Sequence, residues 1–288
     1  ECVSYKYMGE PLSPYADGTV NGWNMAAEGR TIGVMNTTTG KPISTTKNYN
    51  MFDNYTVGPG NVTSVLLDGG CLKTCSFTKI VDRVEVNLQN DGKPLNSAIE
   101  LWQGPNNSPQ KMRVYSEDGN ARPFRAVIET PYSTNTVAIK NTDVDYPFTA
   151  VVDHTLKNVD GDPTVSPAQR LAELGFPKKI QGRATHSHQC DPDTQSVQIV
   201  LNTDGCPLDA RIEILQGPSH NKQVLEVQTE DGENFPFYAI IDTPGDKNVI
   251  RVVNQGQLEF PLSVDVRPYV ETPDNKSSDD KDIGMRWS

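Results

Sequence analysis

Apolar residues recur at every second position through two stretches of the chain. Val84, Val86 and Leu88 fall at period two, and so do Val197, Ile199 and Leu201. The same spacing relates Ile99 and Leu101 to Ile212 and Ile214, and Met112 and Val114 to Leu225 and Val227. It continues with Phe124, Ala126 and Ile128 against Phe237, Ala239 and Ile241, then Val137 and Ile139 against Ile250 and Val252. Phe148, Ala150 and Val152 against Leu262, Val264 and Val266 complete the series. Period two predicts a strand with one buried face. Six short strands are therefore expected in each stretch. Between them stand NDGKP and TDGCP, QGP, EDG, and TPY or TPG, combinations that set turn conformations. Asp91, Gly92, Pro94, Gly104, Pro105, Asp118, Gly119 and Pro131 accordingly read as turn makers.

The two stretches are copies. Residues 84–141 laid on 197–254 without a gap share 24 identities in 58 positions. IELWQGP meets IEILQGP, SEDGNARPFRAVIETP meets TEDGENFPFYAIIDTP, and DYPFTAVV meets EFPLSVDV after one inserted residue. A period this long points to a repeated domain, not a solenoid. The expected fold is all-β: two tandem homologous sandwich-like domains with an N-terminal arm, a C-terminal tail and little helix. The boundaries are 1–80 for an arm packing on the β domains, 81–153 for the first repeat and 154–195 for a linker. The second repeat is 196–268 and the tail 269–288. In the arm, TIGVMN and SVLLD are candidate strands. In the linker, SPAQRLAELGF predicts a helix with Ser166 as N-cap, Pro167 in the first turn and Gly175 at its end.

The copies differ where alternation turns side chains outward. Trp102 stands against Leu215, and Arg125 against Tyr238. An outward Trp invites contact with another surface. The polar, acidic tail ends in an apolar and basic hook of Ile283, Met285, Arg286 and Trp287, residue types that anchor interfaces. Trp102, Arg125, Tyr132, Tyr238, Met285, Arg286 and Trp287 are thus the candidate assembly contacts.

Charge narrows the partners. A net charge of -11 argues against nucleic acid. No apolar run reaches the roughly 18 residues needed to cross a bilayer, so no membrane span is expected. Residue 1 is Glu and no signal peptide is visible, which reads as a chain whose targeting segment was removed or trimmed. Five cysteines, Cys2, Cys71, Cys75, Cys190 and Cys206, are too few and odd for a disulfide framework, and read as reduced thiols. The competing reading is one bridge, for example within CLKTC, in an exported protein. Sequons at Asn36, Asn54, Asn61, Asn106 and Asn275 favour that alternative.

Candidate chemistry is sparse. His186, His188 and Cys190 alternate in HSHQC and would share one strand face, three ligands with room for water on a zinc ion. No partner carboxylate motif stands nearby. No GxSxG, HExxH or phosphate-binding Gly-rich loop occurs. Neither an enzyme nor a cofactor is expected.

The twin block, with IELWQGP/IEILQGP, the EDG turns and PFRAVIETP/PFYAIIDTP, resembles the pyrenoid shell proteins of diatoms and related algae across residues 80 to 267. The resemblance implies a structural protein of the plastid stroma that self-assembles at the pyrenoid periphery. There it would encase the Rubisco condensate and support CO2 concentration. Its implied partners are further copies of the chain, with Rubisco or other pyrenoid components as further candidates. Two unequal faces in one chain suit contacts that extend instead of closing. The alternatives are an exported carbohydrate- or ligand-binding tandem module, and an enzyme built on the HSHQC cluster.

Overall fold

The computed structural model describes residues 63–132, 135–158, 161–175, 177–217 and 220–269. In the first 62 residues it describes four short strands, with Ser4–Lys6 paired to Gly33–Met35 and Thr19–Val20 paired to Trp23–Asn24.

Sixteen strands then follow in chain order. The first eight are β1 (Thr63–Leu67), β2 (Leu72–Phe77), β3 (Val81–Gln89), β4 (Leu95–Gln103), β5 (Gln110–Ser116), β6 (Phe124–Glu129), β7 (Asn135–Asn141) and β8 (Phe148–Leu156). Helix α1 (Pro167–Leu174) separates them from β9 (Lys178–Ile180), β10 (Thr185–Gln189), β11 (Ser196–Asn202) and β12 (Leu208–Gln216). The last four are β13 (Asn221–Thr229), β14 (Phe237–Asp242), β15 (Asn248–Asn254) and β16 (Leu262–Pro268).

The strands form two eight-stranded antiparallel sheets. Sheet I runs β9-β16-β11-β14-β6-β3-β8-β1, and sheet II runs β10-β15-β12-β13-β5-β4-β7-β2. Every strand n in the first half has its counterpart at n+8 in the mirrored position, so the all-β reading holds. The sheets face each other over a core drawn from both halves, with Phe124, Leu88, Ile99 and Ile139 continuous with Phe237, Leu201, Ile212 and Val252.

The halves join without a gap. In sheet I, β6 pairs with β14, setting Ala126 opposite Ala239. In sheet II, β5 pairs with β13, setting Arg113 opposite Glu226. Each of these residues faces its own counterpart 113 positions away, as a local twofold axis requires.

Each half holds two strands beyond the six expected from alternation. β1 and β2 lie in the stretch read as arm, and β9 and β10 in the stretch read as linker. β1 is the candidate strand SVLLD of the arm, and the patterns of the other three hide them. β9 is three residues long, β10 is THSHQ, and β2 points Lys73 inward beside Cys75 and Phe77. Glycines support the equivalence: a Cβ at Gly69 would strike the backbone of Val144, and one at Gly182 the backbone of Gln257, each 113 residues on.

Helix α1 begins with a reciprocal cap. Ser166 Oγ accepts from the Gln169 amide at 3.1 Å, and Gln169 Oε1 accepts from the Ser166 amide at 2.8 Å. Its Ala168 and Leu171 cover Val127, Val200 and Tyr238 on the outer face of sheet I, astride the seam. No equivalent helix is present on sheet II among the described residues.

A shared core predicts shared stability. Phe124→Ala and Phe237→Ala, both fully buried equivalents, are each expected to cost about 3–5 kcal/mol. Urea unfolding should show one transition, lowered as a whole by either change. A variant that melts only its own half would contradict the continuous core.

Candidate functional site

The outer face and end of the first repeat differ from their counterparts in the second. Trp102, near the end of β4, stands opposite Thr136 of β7 and is half-buried. Its Nε1 donates to Glu100 Oε2 at 2.7 Å, and the Ser108 hydroxyl donates to the same oxygen at 3.3 Å. The counterpart of Glu100 is Glu213, which sits between Arg211 and Arg251. Burial works against the Glu213 carboxylate, but hydrogen bonds and charge from the two arginines outweigh it and hold its pKa below the usual range. The first repeat has Ala98 and Ala138 where those arginines stand. An indole thus replaces a guanidinium pair as the partner of the repeated glutamate.

Tyr132 lies at the same end, in the turn between β6 and β7. Gln103 Nε2, one residue after Trp102, donates to Pro131 O at 3.0 Å and fastens that turn to β4. Tyr132 has φ of 75° and is 62 % exposed. Its counterpart Gly245 has φ of 78°. A left-handed backbone costs a residue with a Cβ roughly 1–2 kcal/mol. Glycine avoids that cost, and the exposed tyrosine ring recovers little of it by burial within the chain. Trp102 and Tyr132 together make an aromatic end that the second repeat lacks.

The other candidates lie elsewhere. Arg125 is half-buried on the outer face of sheet I and ion-pairs across the seam with Asp242, whose Oδ1 also accepts from Ser196 Oγ at 2.7 Å. Tyr238 does point away from the core, but α1 covers it and leaves it 6 % exposed. Its hydroxyl lies 3.3 Å from Gln198 Oε1, and burial pushes the phenol pKa up. Alternation identifies its face but carries no information about what covers that face. Met285, Arg286 and Trp287 lie outside the described residues.

The histidine cluster belongs to an edge strand. His186 and His188 stand opposite Val252 and Ile250, on the inner face of β10, and are half-buried. Burial lowers the His186 pKa, helped by Lys178 and His188. Cys190 is buried and its thiol is pushed up to about 11, by burial first and then by Asp191. Among the described residues no group of three His, Cys, Asp or Glu is placed to hold a metal ion. The counterparts in β2 are Lys73, Cys75 and Phe77, so this position carries no shared ligand set. The acidic EDG turns are likewise structural: Asp118 Oδ1 accepts the amides of Asn120 and Ala121 at 2.9 Å, and Asp231 Oδ1 those of Glu233 and Asn234.

The cysteines differ from the reduced-thiol reading. Cys71 is disulfide-bonded. Cys75, Cys190 and Cys206 are free thiols, so no bridge closes within CLKTC. Cys75 points into the core opposite Val137, and burial raises its pKa.

A buried carboxyl group beside α1 had no signal in the sequence. Glu129 stands opposite Arg83 in sheet I. Burial pushes its pKa up, while Arg83 and the Ser166 hydroxyl partly oppose the rise.

Two outcomes follow. A thiol reagent applied to the folded protein should modify half-buried Cys206 well before buried Cys75 and Cys190, as peptide mass spectrometry would read. Equal labelling of all three would contradict the core placement. The raised Glu129 pKa gives a contribution to stability that is complete below the unfolded value, about pH 4. It is lost as pH rises through the folded value. Glu129→Gln should therefore raise the urea midpoint at pH 8 and leave it unchanged near pH 4. A midpoint lowered at pH 8 would contradict this.

Known proteins add one assignment. No curated protein is significantly similar in sequence. Among solved structures, the PBSX exported protein XepA aligns with 83% of this chain and 95% of its own at 9% identity, with a TM-score of 0.28. Vicilin from Corylus avellana (hazelnut) aligns with 73% of this chain and 84% of its own at 9% identity, with a TM-score of 0.16. Scores this low carry no argument. The sequence profile described as "Diatom pyrenoid shell protein", in contrast, matches residues 59–268. That span starts just before β1 and ends with β16, taking in both repeats, and the chain belongs to the diatom pyrenoid shell protein family.

Proposed function

We propose that this chain is a non-enzymatic structural protein whose copies associate into a layer encasing the pyrenoid in the plastid. Membership of the shell family supports the role and the location. The layer would surround the Rubisco condensate at its boundary with the stroma and limit the escape of CO2. Rubisco or other pyrenoid components are candidate partners on its inner side.

The observation that carries the assembly reading is the mismatch between the two ends. Trp102 and Tyr132 mark one end, and Leu215 and Gly245 mark the equivalent end of the second repeat. A contact that uses one end and not its twin joins unlike surfaces, and unlike surfaces propagate. Tyr132 adds a reason in energy, since its left-handed backbone is strained without compensating burial. Packing against a second copy would supply that burial. Arg125 and Tyr238, held by Asp242 and α1, contribute to the chain's own stability under this reading. An exported binding module is the second reading, favoured by the disulfide at Cys71. Intact mass separates the two, because added glycan at the sequons would favour export.

The test borrows residues from the other repeat. Trp102→Leu and Tyr132→Gly introduce what the second repeat already carries in the same setting, so the double variant should fold with unchanged or higher thermal stability. By electron microscopy the unmodified protein should form extended layers or tubes, and the double variant should form them at least tenfold less readily, as expected for aromatic interface anchors worth about 2 kcal/mol. Unimpaired layers from the variant would remove this end from the interface. Monodisperse single chains of the unmodified protein in every salt and pH would overturn assembly itself.

A further inference from the structure

Among the described residues, the outer face of sheet II carries three cations without an ion-pair partner. Lys111, Arg113 and Lys140 are exposed, and none takes part in an ion pair among the described residues. The neighbouring carboxylates are engaged. Lys111 stands opposite Glu100, whose Oε2 is taken by Trp102 and Ser108. Arg113 stands opposite Glu226, which is held by Arg211 at 2.9 Å. Lys140 and Arg113 flank Ala98 in one row across the strands, and Lys111 lies two residues along β5. Strand geometry then sets Arg113 roughly 7 Å from Lys111 and roughly 10 Å from Lys140. Half-buried Trp102 and Tyr115, itself 38 % exposed, border the cluster on two sides.

This cluster belongs to the first repeat alone. Its counterparts are Val224, Glu226 and Val253. It also runs against the chain's overall net charge of -11. Three unpaired cations beside aromatic rings fit a peptide that is acidic and carries apolar anchors. The chain holds such a segment in SSDDKDIGMRWS, where Asp279, Asp280 and Asp282 precede Ile283, Met285 and Trp287. In an extended peptide Asp280 and Asp282 lie about 7 Å apart on one side, the spacing of Lys111 and Arg113 on their strand.

We propose that the outer face of sheet II, around Lys111, Arg113 and Lys140, docks the C-terminal segment 271–288 of a second copy of this chain. The inference rests on the self-assembly reading and names one contact within it. Placement favours a second copy. The segment follows β16, a strand of sheet I in the second repeat, whereas the cations lie on the opposite side of the sandwich in the first. A chain reaching its own face would have to round the molecule.

The experiment uses the full-length protein and a labelled peptide of residues 271–288, with binding read by fluorescence anisotropy. Binding should be saturable and weaken at high salt. The variant K111V/R113E/K140V carries the second repeat's own residues, and so should fold while binding roughly tenfold more weakly, as expected for the loss of two or three exposed charge pairs. Unchanged affinity would overturn the proposal. Full-length chains then separate the two arrangements. D279K/D280K/D282K alone and K111E/R113E/K140E alone should each associate poorly in sedimentation velocity, and their mixture should associate. Association restored only when one chain carries both sets would place the contact within a single molecule and overturn the proposal. Extended layers that form without peptide binding would leave the shell reading standing and remove this contact from it.

Discussion

The structure depends on one pairing: β5 with β13 and β6 with β14, where the two repeats meet. A repeat by itself would end in two bare strand edges, each a row of unpaired N–H and C=O groups. The other repeat supplies the missing strand in both sheets at once. The backbone ladders continue and the apolar core runs beneath them, from Phe124 and Ile99 to Phe237 and Ile212. Counterparts face each other at Ala126 and Ala239, and at Arg113 and Glu226. This is the geometry of a symmetric dimer joined into one polypeptide.

Fusion frees the two halves to diverge, and the core differences exchange one apolar residue for another at most positions while the surface differences change what each half can touch. Helix α1 covers the seam on sheet I, and sheet II has no such cover among the described residues. The repeated glutamate binds an indole in one half and two guanidinium groups in the other. One turn has Tyr132 where its twin has Gly245. The outer edges look guarded against growth. β9 is very short, β10 is polar throughout, and β2 turns Lys73 inward, where burial pulls its ammonium down to about 8 while Asp68 opposes the shift. Ends and faces are left open to contact, as the proposed assembly of copies requires.

Much of this was legible in the residues. Alternation located twelve strands because each has one face in a common core. The 113-residue repeat identified their partners. β1 was legible as the candidate strand SVLLD, whereas β2, β9 and β10 were not, since an edge strand sits where the core thins and needs no apolar face. Lys73 and His186 occupy the inner side there without a penalty large enough to exclude them. The cover over Tyr238 was not legible either, although α1 itself was clear from Ser166 and Pro167. Periodicity reports a residue's face, and only tertiary packing reports what lies above it. Glu129 gave no signal for the same reason. Trp102 was visible as a difference between copies, and the strain at Tyr132 required the backbone angle.

The central claim is that the two repeats form one body through the seam. Native-state hydrogen exchange tests it most directly. Amides that pair across β5–β13 and β6–β14 should exchange as slowly as those between β3 and β8 or β12 and β15, through global unfolding alone. Fast exchange at the seam beside slow exchange within each repeat would show two separable domains, and would contradict the account.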